Sequence, residues 1–205
     1  MLRIIAGDYG RRVIKAPAGQ RTRPTSDRVR ESLFSTLTRL ADLDGAVFLD
    51  LYAGSGAIGL EALSRGAARS VFVDNGPDAV AVIRDNIRTL AAAAECKVEA
   101  SSVQSFLSRT TPFAADIVFL DPPYTQSVDA DLELLAARGW LAPDALVIVE
   151  RGTRTPDPAW PDGLAVEEAR VYGETKLWYC RAAADSASAA AAAAAADAAA
   201  DPVEG

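Results

Sequence analysis

The stretch AVFLDLYAGSGAIGLEAL (46–63) decides the architecture, because its patterning changes twice within a few residues. AVFLDL (46–51) is a short apolar run of the kind found in a strand buried on both faces. The glycines Gly54, Gly56 and Gly59 then break it, and apolar residues resume as a helix through about Arg65. Strand, glycine turn and helix together open a βαβ unit.

Downstream, the same alternation repeats. SVFVD (70–74) is a second strand, and Pro77 opens a helix whose Val80, Ile83, Ile87 and Leu90 form one stripe. CKVEA (96–100), DIVFLD (116–121) and ALVIVE (145–150) supply three more strands, separated by helices near 103–109 and 129–138. Such alternation specifies a parallel sheet covered by helices on both faces. The end differs: LAVEEARVY (164–172) and TKLWYCRA (175–182) are joined by Gly173-Glu174, a hairpin signal. Upstream, RIIAG and RRVIKAP flank Gly7-Asp8-Tyr9-Gly10 and read as a β-hairpin. A helix follows on Val29, Leu33, Leu37 and Leu40, with Pro24 and Thr25 or Ser26 as its start signal.

Three segments result: a basic hairpin and helix over 1–42, an α/β domain over 43–182, and an alanine-rich tail over 183–205 with no large apolar side chain before Val203. The 205 residues, half of them apolar, suit one α/β domain. Cys96 and Cys180 form no Cys-x-x-Cys pair, which argues against a disulfide framework or a zinc site and for a reduced, cytoplasmic setting. No run is long and apolar enough for a signal peptide or a membrane span, so no membrane partner is expected. The chain has no histidine, which excludes imidazole bases, Ser-His-Asp triads and His-Glu-x-x-His metal sites. No metal is implied. Net charge is −7, yet residues 1–40 carry +6 and the remainder −13. Arg3, Arg11, Arg12, Arg23, Arg28 and Arg30 in that segment suit phosphate contacts, although a solvated face would use the same residues.

The loop from Gly54 to Gly59 has the form G-x-G-x-x-G after a strand, with Asp74 ending the next strand where a ribose-binding acid belongs. By itself that pattern suits NAD. Asp50, four residues before Gly54, argues otherwise: its carboxylate would repel a pyrophosphate, whereas S-adenosylmethionine has no phosphate and carries an ammonium and a sulfonium. An aspartate capping the turn would look the same in sequence.

The strand Ile117–Leu120 ends in Asp121-Pro122-Pro123-Tyr124. Two prolines fix two φ angles and remove two donors, leaving carbonyl groups to accept from a substrate. An exocyclic amine of a nucleobase is a poor nucleophile, because its lone pair is delocalised into the ring. If the Asp121 carboxylate and the Pro122 carbonyl each accept one N–H, the nitrogen can pyramidalise and aim its lone pair at a sulfonium methyl. Tyr124 can stack on an extruded base.

DLYAGSGAIGLEAL resembles the first motif of class I methyltransferases, and Asp-Pro-Pro-Tyr resembles motif IV of amino-methyltransferases. RIIAGDYGRR, RPTSDRVRESLF, DLYAGSGAIGLEALSRGA, IVFLDPPY and GWL together resemble the bacterial RsmD family over about residues 2–182. That resemblance implies a Rossmann-like, seven-stranded α/β class I fold, mostly parallel with a C-terminal antiparallel hairpin. It also implies transfer of methyl from S-adenosyl-L-methionine to N2 of a guanine in 16S ribosomal RNA, with guanine 966 as the family target. By resemblance the cofactor site comprises Asp50, Tyr52, Ala53, Gly54, Ser55, Gly56, Asp74, Asn75, Ser102 and Val103, with Asp74 holding the ribose. Ser102 would serve equally as the N-cap of the helix that follows. The expected partner is 16S ribosomal RNA, naked or within an assembling small subunit, bound by a monomer. Tyrosine at 124, where phenylalanine is also common, and the alanine-rich tail depart from the pattern. The alternatives are a DNA adenine-N6 or cytosine-N4 methyltransferase, a non-catalytic RNA-binding assembly factor and an NAD-dependent oxidoreductase. Chain length disfavours the first of these and the intact tetrad the second.

Overall fold

The computed structural model describes residues 2–17, 27–109, 112–123 and 125–184. Its elements run α1 (Asp27–Leu40), β1 (Val47–Leu51), α2 (Ala57–Ser64), β2 (Arg69–Asp74), α3 (Pro77–Leu90), β3 (Cys96–Ala100), α4 (Val103–Arg109), β4 (Ala115–Leu120), α5 (Asp129–Ala137), β5 (Leu141–Gly152), β6 (Leu164–Tyr172) and β7 (Thr175–Ala182). Seven strands form one sheet in the order β3-β2-β1-β4-β5-β7-β6. Pairing is parallel from β3 through β5, and β7 runs antiparallel to both β5 and β6. This is the mostly parallel sheet with an antiparallel end expected above.

Each central strand has side chains in two cores, because successive residues point to opposite faces. Phe48, Phe72, Ile117, Phe119 and Ile148 face α2, α3 and α1, contacting Ile58, Leu60, Ile83, Leu33, Phe34 and Leu37. Leu49, Leu51, Val71, Val73, Val118 and Leu120 face α4 and α5. Trp140 closes that second core: it is fully buried, its ring centroid lies 4.8 Å from that of Phe106, and its indole N–H donates to the Leu107 carbonyl at 3.1 Å. The Gly-Trp-Leu run is therefore a packing motif.

The N-terminal pairing is slighter than the sequence suggests. One antiparallel bridge joins Arg3 to Val13, with Ile4 N–H donating to Arg12 and Ile14 N–H to Leu2, and no full strand forms. The physical reason lies in the donors, which α2 side chains take up instead. Glu61, fully buried, accepts from the N–H groups of Ile5 at 2.7 Å and Ala6 at 3.1 Å, while the Ser64 hydroxyl accepts from Tyr9 N–H at 2.9 Å. Ile4 and Ile14 join the same core as α1 and the sheet. Pro24, Thr25 and Ser26, read as the start of the first helix, and nearly all of the alanine-rich segment lie outside the described residues.

Among the described residues no helix is long and apolar enough to cross a membrane, and no group of three or more metal-ligating side chains occurs.

Candidate active site

The strand order reverses between β1 and β4, the position at which open α/β sheets form a ligand crevice beyond their carboxyl ends. Three carboxylates gather there: Asp50 near the end of β1, Asp74 ending β2 and Asp121 just after β4.

The glycine turn is built by distinct constraints. Gly54 and Gly56 have φ of 57° and 75°, in the left-handed region that favours glycine. A Cβ on Gly59 would stand 2.5 Å from both the Phe72 ring and the Ser70 hydroxyl, so only glycine lets α2 lie this close to β2. Gly54 N–H donates to Asp74 Oδ2 at 2.8 Å, tying the loop to the neighbouring strand, and Gly76 N–H donates to Asp74 Oδ1 at 2.8 Å. Ordered this way, the two Asp74 oxygens keep lone pairs for a ribose diol.

Asp50 is 2% exposed and accepts from Gly59 N–H at 2.9 Å, so it caps the first turn of α2, where Gly56 offers no side chain to do so. One of its two oxygens thus serves the cap that the sequence also allowed. Its charge still belongs to the site. Burial foremost, then Asp74 and Asp121, hold its carboxyl well above the usual range, against the Gly59 N–H. A pyrophosphate would add to this crowding of negative charge, whereas a cationic ligand relieves it.

Asp121 opens onto the cleft, but protein surrounds it on its other sides. That poorly hydrated setting raises its carboxyl, opposed by the Arg151 guanidinium. Pro122 is buried and Pro123 exposed. The Pro123 carbonyl already accepts from Gln126 N–H at 2.9 Å, so of the two carbonyls expected to face a substrate this one instead closes the turn. Tyr124 lies outside the described residues.

Beside the tetrad is a recess of about 170 Å³ lined by Tyr52, Asp74, Asn75, Ser102, Val103, Gln104, Pro123 and Gln126. It brings together five of the expected cofactor residues and one member of the tetrad. Asp50, Ala53, Gly54, Ser55 and Gly56 line the adjoining turn rather than the recess. The Ser102 hydroxyl accepts from Ser105 N–H at 3.2 Å, so it caps α4 and borders the recess at once. A larger cavity, about 350 Å³, lies at the opposite end of the sheet among Asp42, Asp44, Asp116 and Asp144. It is remote from both motifs and sits at the amino ends of the strands, so the smaller recess is the candidate site.

Sequence reasoning missed a polar network under this recess. Tyr52 O–H donates to Asp131 Oδ2 at 2.6 Å, Gln126 Nε2 donates to the Tyr52 oxygen at 2.6 Å, and Arg151 donates to the Gln126 carbonyl. Glutamines in a loop and a helix carry no motif. The one available signal was an aspartate, Asp131, on the side of α5 that also bears Leu132 and Leu135.

The expected RNA-contacting arginines do not form one set. Arg30 is 1% exposed and donates to the Arg3 carbonyl and to Asp27 Oδ1, so it is an interior tie and cannot reach a phosphate. Arg12 donates to the Thr89 and Leu90 carbonyls at the negative end of α3, which anchors the hairpin. Arg3 pairs with Asp27 at 3.4 Å. Arg11 and Arg28 are exposed, and Arg23 lies outside the described residues.

Comparison with known proteins bears on all of this. A family model described as Conserved hypothetical protein 95 matches residues 2–181. The chain is 37% identical over 175 residues to Ribosomal RNA small subunit methyltransferase D of Escherichia coli, an alignment spanning 84% of this chain and 86% of that one. It is similar to the solved structure of Escherichia coli yhhF, with a TM-score of 0.79 at 35% identity over 89% of this chain and 98% of that one. A Salinibacter ruber RNA methyltransferase solved with S-adenosyl-L-homocysteine shares the fold, with a TM-score of 0.58 at 21% identity over 78% and 94% of the two chains. The chain thus belongs to the RsmD family of class I, S-adenosylmethionine-dependent methyltransferases.

Proposed function

We propose that the protein methylates N2 of a guanine in 16S ribosomal RNA, the guanine 966 of the family, acting as a monomer in the cytoplasm on naked RNA or on the assembling small subunit. The observation that carries this reading is the convergence of Asp50, Asp74 and Asp121 around a glycine turn. Such a site disfavours a pyrophosphate and favours a cation, and its third acid begins the Asp-Pro-Pro-Tyr tetrad.

S-adenosylmethionine supplies the electrophilic methyl group. On the protein side, Asp74 holds the ribose hydroxyls while Ser102 and Val103 border the adenine. The Asp121 carboxylate and the Pro122 carbonyl accept the two N–H bonds of the target amine, which turns its lone pair toward the methyl. One of those protons leaves the nitrogen as it takes the methyl from the sulfonium sulfur, and the Asp121 carboxylate, its pKa raised, receives that proton. Tyr124 stacks on the extruded base. The domain division follows the same logic: residues 1–42 bring RNA to the site, and 43–182 hold the chemistry.

The test is partition of labelled methyl among small-subunit particles, naked 16S RNA and duplex DNA. Label in the first two alone is expected. Label in DNA alone would replace this reading with DNA modification, and no transfer alongside tight RNA binding would replace it with a silent binding factor.

A further inference from the structure

The network beneath the recess has a direction built into its hydrogen bonds. Asp131 is fully buried at the start of α5, and as a carboxylate it can only accept. Its Oδ2 therefore takes the Tyr52 proton at 2.6 Å. With that proton committed, the Tyr52 oxygen must accept from its other neighbour, Gln126 Nε2, at 2.6 Å. The amide of Gln126 is thereby oriented: its NH₂ turns to Tyr52 and its Oε1 is left as the acceptor offered to the recess that Gln126 lines. Backbone bonds hold the residue in place, since Arg151 donates to its carbonyl and its own N–H donates to Pro123. Gln104, on α4, lines the same recess.

Tyr52 carries a further mark of this arrangement. Its φ is 62°, in the left-handed region that strains a non-glycine residue and persists only where surrounding contacts enforce it. The bonds to Asp131 and Gln126 are such contacts.

We infer that the Asp131–Tyr52–Gln126 relay makes Gln126 a specificity-determining residue: its Oε1 accepts an N–H from the exocyclic amino group of the cofactor's adenine, selecting an amino-purine over an oxo-purine. The inference rests on the cofactor reading above. Both glutamines share the recess with Asp74, Asn75, Ser102 and Val103, whereas Asp121 does not line it, which places Gln126 on the cofactor's side of the tetrad. An oxo-purine would set carbonyl against carbonyl at this point and leave the Gln126 oxygen without a donor.

The test is calorimetry with S-adenosylhomocysteine and S-inosylhomocysteine, which differ by amino against oxo at purine position six with the accompanying N1 proton. The wild-type protein is expected to prefer the adenosyl ligand by about tenfold, the worth of one well-placed hydrogen bond. Gln126→Ala, in a partly exposed turn, should bring the ratio to within about twofold of unity. Tyr52→Phe keeps the ring but releases the amide, and should lower the ratio at least about threefold. General damage to the fold would weaken both ligands alike and leave their ratio unmoved. A wild-type ratio in either variant overturns the relay while the cofactor reading stands, as does equal binding of the two ligands by the wild type. If the wild type binds neither ligand, the cofactor reading falls and the relay with it.

Discussion

The sheet and the N-terminal hairpin are held by opposite means. β1 is buried on both faces mainly by apolar neighbours on β2, β4 and the helices. The hairpin instead buries Ile4 and Ile14, packs Leu2 and Tyr9 partly against the same core, and is attached through polar groups: Glu61 and Ser64 on α2, and Asn86 on α3. Asn86 is fully buried, accepts from Lys15 N–H at 2.7 Å, and donates to the carbonyls of Lys15 at 3.0 Å and Ser55 at 2.9 Å. One residue thus joins the basic segment to the cofactor turn. The contrast shows that the element bearing the positive charge is seated by directional bonds that register it against the site, in addition to burial of a few apolar side chains.

The sharpest way to break that contrast is Glu61→Ala. It leaves the N–H groups of Ile5 and Ala6 and the Arg65 guanidinium without their shared acceptor in a buried setting. A loss of about 3 kcal/mol is expected, read as a lower denaturant midpoint. A near-wild-type midpoint would mean that apolar contacts alone hold the hairpin.

On the sheet side, Asp121→Ala should lower turnover by about 10²-fold or more while the affinity for S-adenosylhomocysteine stays within about twofold. Wild-type turnover in that variant would remove Asp121 from the mechanism. The raised pKa of Asp121 adds a pH signature. The acceptor is the ionised form, so turnover should fall as pH drops through that raised pKa and recover above it. Asp121→Asn keeps one acceptor oxygen and should flatten this limb at a lower overall rate; an unchanged acid limb would assign it to another group.

How much of this was legible in the sequence follows from the same contrast. Strands such as AVFLDL and DIVFLD announce themselves, because burial on two faces requires continuous apolar runs, and the glycine turn and Asp-Pro-Pro-Tyr are local backbone devices readable in order. The hairpin's anchors were not legible. Glu61 and Asn86 have the residue types of a solvated helix face, and only tertiary packing reveals that they are fully buried. Arg30 misled for the matching reason, since a charge-rich helix start looks like a phosphate surface until its guanidinium is found inside. The Tyr52–Asp131–Gln126 network joins three separate elements, a relation that no spacing rule encodes.

The smallest expected effect concerns RNA. Arg3, Arg11, Arg12 and Arg28 of the basic set are exposed among the described residues; Arg3 pairs with Asp27 and Arg12 with the carboxyl end of α3, so the test falls on Arg11 and Arg28. Their double alanine variant should fold normally and bind cofactor as before. Each lost phosphate contact should reduce the slope of log RNA affinity against log salt by about 0.7 to 0.9. An unchanged slope would move the RNA surface away from the hairpin and helix, most directly to the loop after the tetrad.

The central claim is that the acidic crevice at the ends of β1, β2 and β4 directs a methyl group onto the exocyclic amine of a guanine. The most direct measurement is enzymatic digestion of 16S RNA and small-subunit particles after incubation with the protein and labelled S-adenosylmethionine, followed by identification of the labelled nucleoside. The account predicts N2-methylguanosine as the labelled product, absent with Asp121→Ala; label recovered in a ring-carbon or ribose methyl, or in methylated adenine or cytosine, would contradict it.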